Sequence, residues 1–258
     1  MELQEVKNKV IEASSANIQM LQEISAQSEI DNKIPKIVHF CYLDYENIDE
    51  THLNYIKSWF ETLDNTWTFV NWTPSISQPV CPFENYVLDN NKFAFYADYI
   101  RCAKVHDYGG VYFDCDVLLY KDMTPYLEYN YIFDTEFEKP YMDCGAFLAK
   151  KGNKYLKIIK ESYESESYES YENDTHAFLA PVYWRTALSK KGISVVVNHN
   201  NNMTDYKQRT DMENERILPL MNGTILSCPC RTSMWSYILQ EPTEETICSH
   251  RFEGTWTY

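Results

Sequence analysis

The triplet Asp114-Cys115-Asp116 sets two carboxylates two residues apart, directly after the run Val111-Tyr112-Phe113. In an extended segment side chains alternate between faces, so Tyr112, Asp114 and Asp116 would point one way while Val111, Phe113 and Cys115 enter the core. Carboxylates this close raise each other's pKa unless a cation neutralises them, which makes a hard divalent ion, magnesium or manganese, the natural partner. Asp-x-Asp triplets are also common in surface loops, so the context has to distinguish this one. That context is a preceding helical segment in which Asp98, Arg101, Cys102 and Val105 share one face. Turned to solvent, Asp98 and Arg101 would be an ordinary surface pair worth a few tenths of a kcal/mol. Turned to the core, the pair would be buried beside the triplet. There a planar guanidinium can grip a diphosphate and Asp98 can accept hydrogen bonds from sugar hydroxyls.

The elements that must position these groups alternate between strand and helix. Ile34-Pro35-Lys36-Ile37-Val38-His39-Phe40 reads as a buried strand entered through a proline, His52 to Leu63 as a helix, and Trp67 to Trp72 as a second strand before the breakers Thr73-Pro74-Ser75. Lys92 to His106 reads as a helix stopped by Gly109-Gly110, with Val111-Tyr112-Phe113 as the strand that delivers the carboxylates. This order is that of an α/β sheet, in which ligands bind at the carboxyl ends of strands. Lys154 to Ser162 reads as a helix leading into an acidic and aromatic tract at 161–172, which repeated like charge makes a solvated helix or loop. Gly192 to Val197 reads as a strand. Residues 1–30 contain no Gly or Pro and carry Leu3, Val6, Val10, Ile18, Leu21 and Ile24 at helical spacing. They are expected to form a helical extension, with the catalytic domain spanning 31–258.

Composition narrows the partners. The 258-residue chain is 44% hydrophobic and carries a formal net charge of -15. It can bury a large core, and it lacks the clustered Lys and Arg that nucleic-acid binding needs. No N-terminal stretch reads as a signal peptide and no run is long enough to span a bilayer, so the expectation is a cytoplasmic protein with reduced thiols. Peripheral attachment to the inner face of a membrane and oligomer formation through the N-terminal helices stay open. Cys228, Cys230, Cys248 and His250 could form a tetrahedral zinc site, although the Cys-x-Cys spacing is tighter than usual. His39 and His106 stand apart from other candidate ligands and read as structural histidines.

Phe95-Tyr96-Ala97-Asp98-Tyr99-Ile100-Arg101, followed by Tyr108-Gly109-Gly110-Val111-Tyr112-Phe113-Asp114-Cys115-Asp116, resembles the core signature of the DXD sugar-binding glycosyltransferases of family 32. That family includes bacterial capsule and O-antigen transferases and fungal initiating mannosyltransferases, with the clostridial glucosylating toxins as more distant relatives. The opening at Ile34 to Phe40 is similar to the family's first strand. His250-Arg251-Phe252-Glu253-Gly254-Thr255-Trp256 is similar to its terminal His-His-x-x-Gly-Ser-Trp motif, with Arg251 at a common second His, Thr255 for Ser, and an unexplained Glu253.

The resemblance implies a GT-A, Rossmann-like fold and a retaining transferase. Its donor would be a nucleotide-sugar, UDP-sugar favoured, and its acceptor a glycan or lipid-linked glycan of bacterial surface polysaccharide. A toxin-like effector that glycosylates a host protein is the alternative. The resemblance further implies that Tyr42, where the family often has Trp, stacks on the nucleotide base. Asp98 and Arg101 would hold the donor sugar and diphosphate, and Tyr112 would line the donor site. Asp114 would contact hydroxyls and reach the metal through water, Asp116 and His250 would ligate Mn2+ or Mg2+, and Trp256 would close over the diphosphate. Asp143-Cys144-Gly145 and Ala180-Pro181 resemble the family's acceptor-side segments.

Overall fold

The computed structural model describes residues 1–135, 142–165, 179–195, 216–217 and 247–251. Two helices open the chain, α1 (Leu3–Ala13) and α2 (Ile18–Ile30). The side chain of Asn17 caps α2 by accepting from the backbone N–H groups of Gln19 and Met20. There follow β1 (Ile37–Phe40), α3 (Glu50–Thr62), β2 (Thr68–Asn71), the short α4 (Pro74–Ser77), α5 (Pro82–Asp89), α6 (Phe93–Tyr108), β3 (Gly110–Phe113) and β4 (Val117–Leu119). The remaining elements are β5 (Tyr131–Thr135), β6 (Met142–Ala149), α7 (Lys154–Ser165), α8 (Ala180–Ser189), the two-residue strands β7 (Ser194–Val195) and β8 (Arg216–Ile217), and β9 (Cys248–His250).

The central sheet has the order β2-β1-β3-β6-β5. β1 lies parallel to β2 and β3, whereas β6 runs antiparallel to both β3 and β5. Every residue of β1, β3 and β6 is buried, the pattern of strands covered on both faces. Alternation along β3 explains the two layers. Phe113 meets Trp59 of α3, which also packs on Phe40, while on the other face Tyr112 lies under Arg101 of α6 and stacks on Phe147. Phe147 in turn meets Trp184 of α8. The α/β class expected from the sequence is the class observed. α1 packs on α3 and contributes Val6, Val10 and Ala13 to the common core.

The α6 to β3 corner shows why two glycines stand there. Gly109 and Gly110 both have positive φ, and a Cβ would lie 2.7 Å from the Lys151 nitrogen at the first and 2.6 Å from the Ile37 carbonyl at the second. The corner is therefore closed to side chains, and it aims β3 from the end of α6 along β1. The sequence expectation of a helix from Lys92 to His106 meets Phe93–Tyr108, ended by Gly109 at φ 72°. Of the acidic tract, the part up to Ser165 belongs to α7; the remainder lies outside the described residues, as does the expected strand beyond Val195. No helix among the described residues is long and apolar enough to cross a membrane.

Candidate active site

The strand that carries the acidic triplet stops earlier than alternation implies. β3 ends at Phe113, and Asp114 to Val117 form a turn closed by the Val117 N–H donating to the Asp114 carbonyl at 3.0 Å. A turn, not a shared strand face, brings the two carboxylates to one place. The reason lies across the sheet. The Asp114 N–H donates to the Gly145 carbonyl of β6 at 2.7 Å, and after the turn β4 pairs with β9 instead of continuing along β1.

His250 enters on β9, its Cα opposite Val117. Its Nε2 lies 3.3 Å from Asp116 Oδ1 and 3.7 Å from Asp114 Oδ2, and one ligand atom from each of the three residues lies within 4.8 Å of the others. The backbone seals the same corner, with Arg251 N–H donating to the Asp116 carbonyl at 3.0 Å. Burial alone would disfavour the His250 cation, but the carboxylates of Asp116 and Asp143 overcome it and hold the pKa well above that of an ordinary histidine. Burial, with Asp116 adding to it, pushes Asp114 upward against the pull of Arg101 and His250. The pocket thus concentrates negative charge. Side-chain exposures of 23% at Asp114 and 13% at Asp116 leave it open to an ion. Two carboxylates and an imidazole form an oxygen-rich, mixed donor set that suits a divalent cation of the manganese or magnesium type.

Asp98 and Arg101 occupy the buried face of α6, as the second reading of their spacing requires. Arg101 Nη2 stands 2.8 Å from Asp98 Oδ1, Nη1 donates to Asp114 Oδ2 at 3.0 Å and to the Cys144 carbonyl at 2.8 Å, and Nε donates to the Ala97 carbonyl at 3.3 Å. The guanidinium plane also lies over Tyr112, 5.0 Å from the ring centre, and the Tyr112 hydroxyl donates to Asp114 Oδ1 at 2.9 Å. Arg101 is therefore turned toward the protein's own acceptors, a pin between two carboxylates more than a free fork. Burial pushes the Asp98 carboxyl up to about 7 despite Arg101, and the backbone N–H of Ala180, at the start of α8, supports its ionised form.

Tyr42 follows β1. Its backbone N–H donates to Asn71 Oδ1 at 2.7 Å, its hydroxyl donates to Asp49 Oδ2 at 3.3 Å, and its ring meets His52 edge-on. The adjacent Cys41 carbonyl accepts from the Cys115 thiol at 3.7 Å, so the segment carrying Tyr42 borders the acidic turn. Trp256 lies outside the described residues, as do Cys228 and Cys230 of the zinc alternative. His39 is structural, its two nitrogens 2.7 Å from the Gly109 carbonyl and 2.9 Å from the Trp72 indole nitrogen. Three contributions were not read from the sequence: the Asp143 carboxylate beside His250, the Cys144 carbonyl on Arg101, and the Asn71 amide on Tyr42. The available signal was a carboxylate and a glycine inside the otherwise apolar run Met142 to Ala149.

Residues 49–136 match the family model described as glycosyltransferase sugar-binding region containing DXD motif. The matched span contains Asp98, Arg101, Asp114 and Asp116. This span of the chain is thus similar to the DXD-containing sugar-binding region of glycosyltransferases. Among solved structures the chain is similar to one named PaToxG glycosyltransferase, with a TM-score of 0.49 and 16% identity over 71% of this chain and 80% of that one. No curated protein matches the chain.

Proposed function

We propose that the protein transfers a sugar from a nucleotide-sugar, UDP-sugar favoured, to a glycan or lipid-linked glycan of bacterial surface polysaccharide, with retention at the anomeric carbon. In this reading residues 1–30 are a helical extension of a catalytic domain spanning 31–258, and the enzyme is cytoplasmic. The observation that carries the donor assignment is the convergence of Asp114, Asp116 and His250 within 4.8 Å, beside a buried Arg101. A divalent cation bound there, manganese above magnesium because of the imidazole, supplies positive charge to the departing nucleotide diphosphate.

The chain's own residues divide the remaining work. Asp116 and His250 hold the ion, with Asp116 the more direct ligand. Asp114, already held by Arg101 and Tyr112, faces the sugar and ribose hydroxyls. Asp98 accepts from the donor sugar, and Arg101 keeps both carboxylates aimed while adding its charge near the diphosphate. Tyr42 offers a flat face for the base, and Trp256 closes over the diphosphate. In this reading the acceptor hydroxyl attacks from the face that the leaving group vacates.

The test is a panel of nucleotide-sugars with Mn2+, read by sugar-nucleotide hydrolysis and by protection against thermal unfolding. One donor that both stabilises and turns over supports the reading. No stabilisation by any donor with metal present would remove it. Adding glycan and protein acceptors to the productive donor then separates polysaccharide synthesis from modification of a host protein.

A further inference from the structure

β6 is buried along its whole length, yet it contains a carboxylate. Asp143 is 3% exposed, in a strand whose other side chains are apolar or absent. Burying a carboxylate is costly unless it is paired, so its partners tell what it is for. Asp143 Oδ1 accepts from the Gly145 N–H at 2.8 Å and lies 3.1 Å from His250 Nδ1, a residue 107 positions away in the sequence. Gly145 lies on the same face of β6 two residues on, and a Cβ there would sit 2.2 Å from His250 Cε1. One residue of this face supplies an acceptor and the other supplies empty space. Between them the imidazole is held at its Nδ1 edge and against its ring, while Nε2 is left toward Asp114 and Asp116.

We propose that Asp143 is a positioning residue. With the divalent cation in place of the Nε2 hydrogen, it keeps the remaining hydrogen of His250 on Nδ1, so that the Nε2 lone pair, directed between Asp114 and Asp116, serves as a ligand. This rests on the metal reading given above. An ionised carboxylate only accepts, so Nδ1 must donate and the neutral ring has Nε2 alone as its acceptor. The same bond sets the ring plane, which the Gly145 gap permits and a side chain would prevent. A hydrogen-bond partner of this kind changes metal affinity by about 10- to 100-fold.

The experiment is an electron paramagnetic resonance titration of the full chain with Mn2+ alone, without donor, reading both affinity and 14N coupling from a histidine ligand. Asp143→Ala is expected to bind Mn2+ about 10- to 100-fold more weakly and to lose the nitrogen coupling. Asp143→Asn keeps an acceptor oxygen and is expected to recover most of both, and it stands in for the alanine variant should that variant fail to fold. In a His250→Ala background, Asp143→Ala is expected to change Mn2+ affinity no further, because it acts through the ring. Wild-type affinity with intact nitrogen coupling in Asp143→Ala would overturn the assignment while leaving the metal site standing. If the wild-type chain gives no bound Mn2+ signal, the metal site itself falls, and this role of Asp143 with it.

Discussion

Asn71 holds Tyr42 by both ends of its backbone. The Asn71 Oδ1 accepts the Tyr42 N–H at 2.7 Å, and its Nδ2 donates to the Tyr42 carbonyl at 2.9 Å. The same amide nitrogen lies 2.8 Å from the hydroxyl of Ser14, the residue that follows α1 and donates onward to the Val10 carbonyl. The segment that follows β1 is therefore tied through one buried amide to the N-terminal helices. This gives α1 a mechanical connection to the residue proposed to meet the base.

Asn71→Ala should loosen that segment without touching the acidic turn. We expect it to cost about 1–3 kcal/mol of stability through unpaired buried polar groups. Donor affinity should weaken about tenfold, and Mn2+ affinity should stay at the wild-type value. Calorimetric titration of nucleotide diphosphate and of Mn2+ separately would check this; an equal loss in both would mean that the whole sheet had moved.

Asp116→Asn keeps the size of the side chain and removes its charge. Turnover should fall by at least about 10²-fold, as expected when a group that stabilises developing charge is lost. Far-UV circular dichroism and the unfolding midpoint without metal should stay near wild type. Undiminished hydrolysis of the best donor would reject Asp116 as a metal ligand.

Gly145→Ala tests the space beside His250. The added methyl has no room without displacing the ring, and overpacking of this kind costs about 1–3 kcal/mol. Because the ring is the part that must give way, the expected signature is a loss of Mn2+ affinity of 10-fold or more, roughly as for a lost ligand partner. Gly145 is not among the glycines with positive φ, so the loss reports on the displaced ring and not on backbone strain.

His39 gives the fold an acid limit. Burial pushes its pKa down to about 4, opposed by the bond to the Gly109 carbonyl and reinforced by Lys104. Its Nε2 hydrogen goes to that carbonyl and its Nδ1 receives the Trp72 indole N–H, so a proton on Nδ1 would face another donor. The folded pKa lies below the unfolded value near 6.5, so the unfolded chain binds the extra proton first. Stability is complete above about pH 6.5 and is lost as pH falls toward 4, by up to about 1.4 kcal/mol per pH unit. Urea midpoints across this window should fall less steeply in His39→Gln, although that variant should be weaker at pH 7.5 by about 1–3 kcal/mol because Trp72 loses its acceptor.

The order of elements from β1 to β3 that the sequence reading named, the glycine corner and the Asp98, Arg101, Asp114, Asp116 group were legible because each depends on local spacing, whereas β5 and β6, two strands of the central sheet, were not read. Helical spacing put Asp98 and Arg101 on one face, and only burial could decide which way that face turned. The pairing of Asp143 with His250 was not legible, since nothing local links two residues 107 positions apart. Nor was the turn at Asp114, because β4 leaves the sheet only to meet β9, a strand far along the chain. Asn71 was read as part of a strand; that its side chain would bend back onto Tyr42 depends on how β1 and β2 lie side by side.

The pairing of β4 with β9 also has a temporal meaning. The strands of the central sheet and both carboxylates lie within residues 37 to 149, whereas His250 is synthesised well after them. At about 5–20 residues per second, several seconds of synthesis separate the two events. The acidic residues therefore precede their imidazole in synthesis, and the candidate donor set is complete only when β9, the last described strand, pairs with β4.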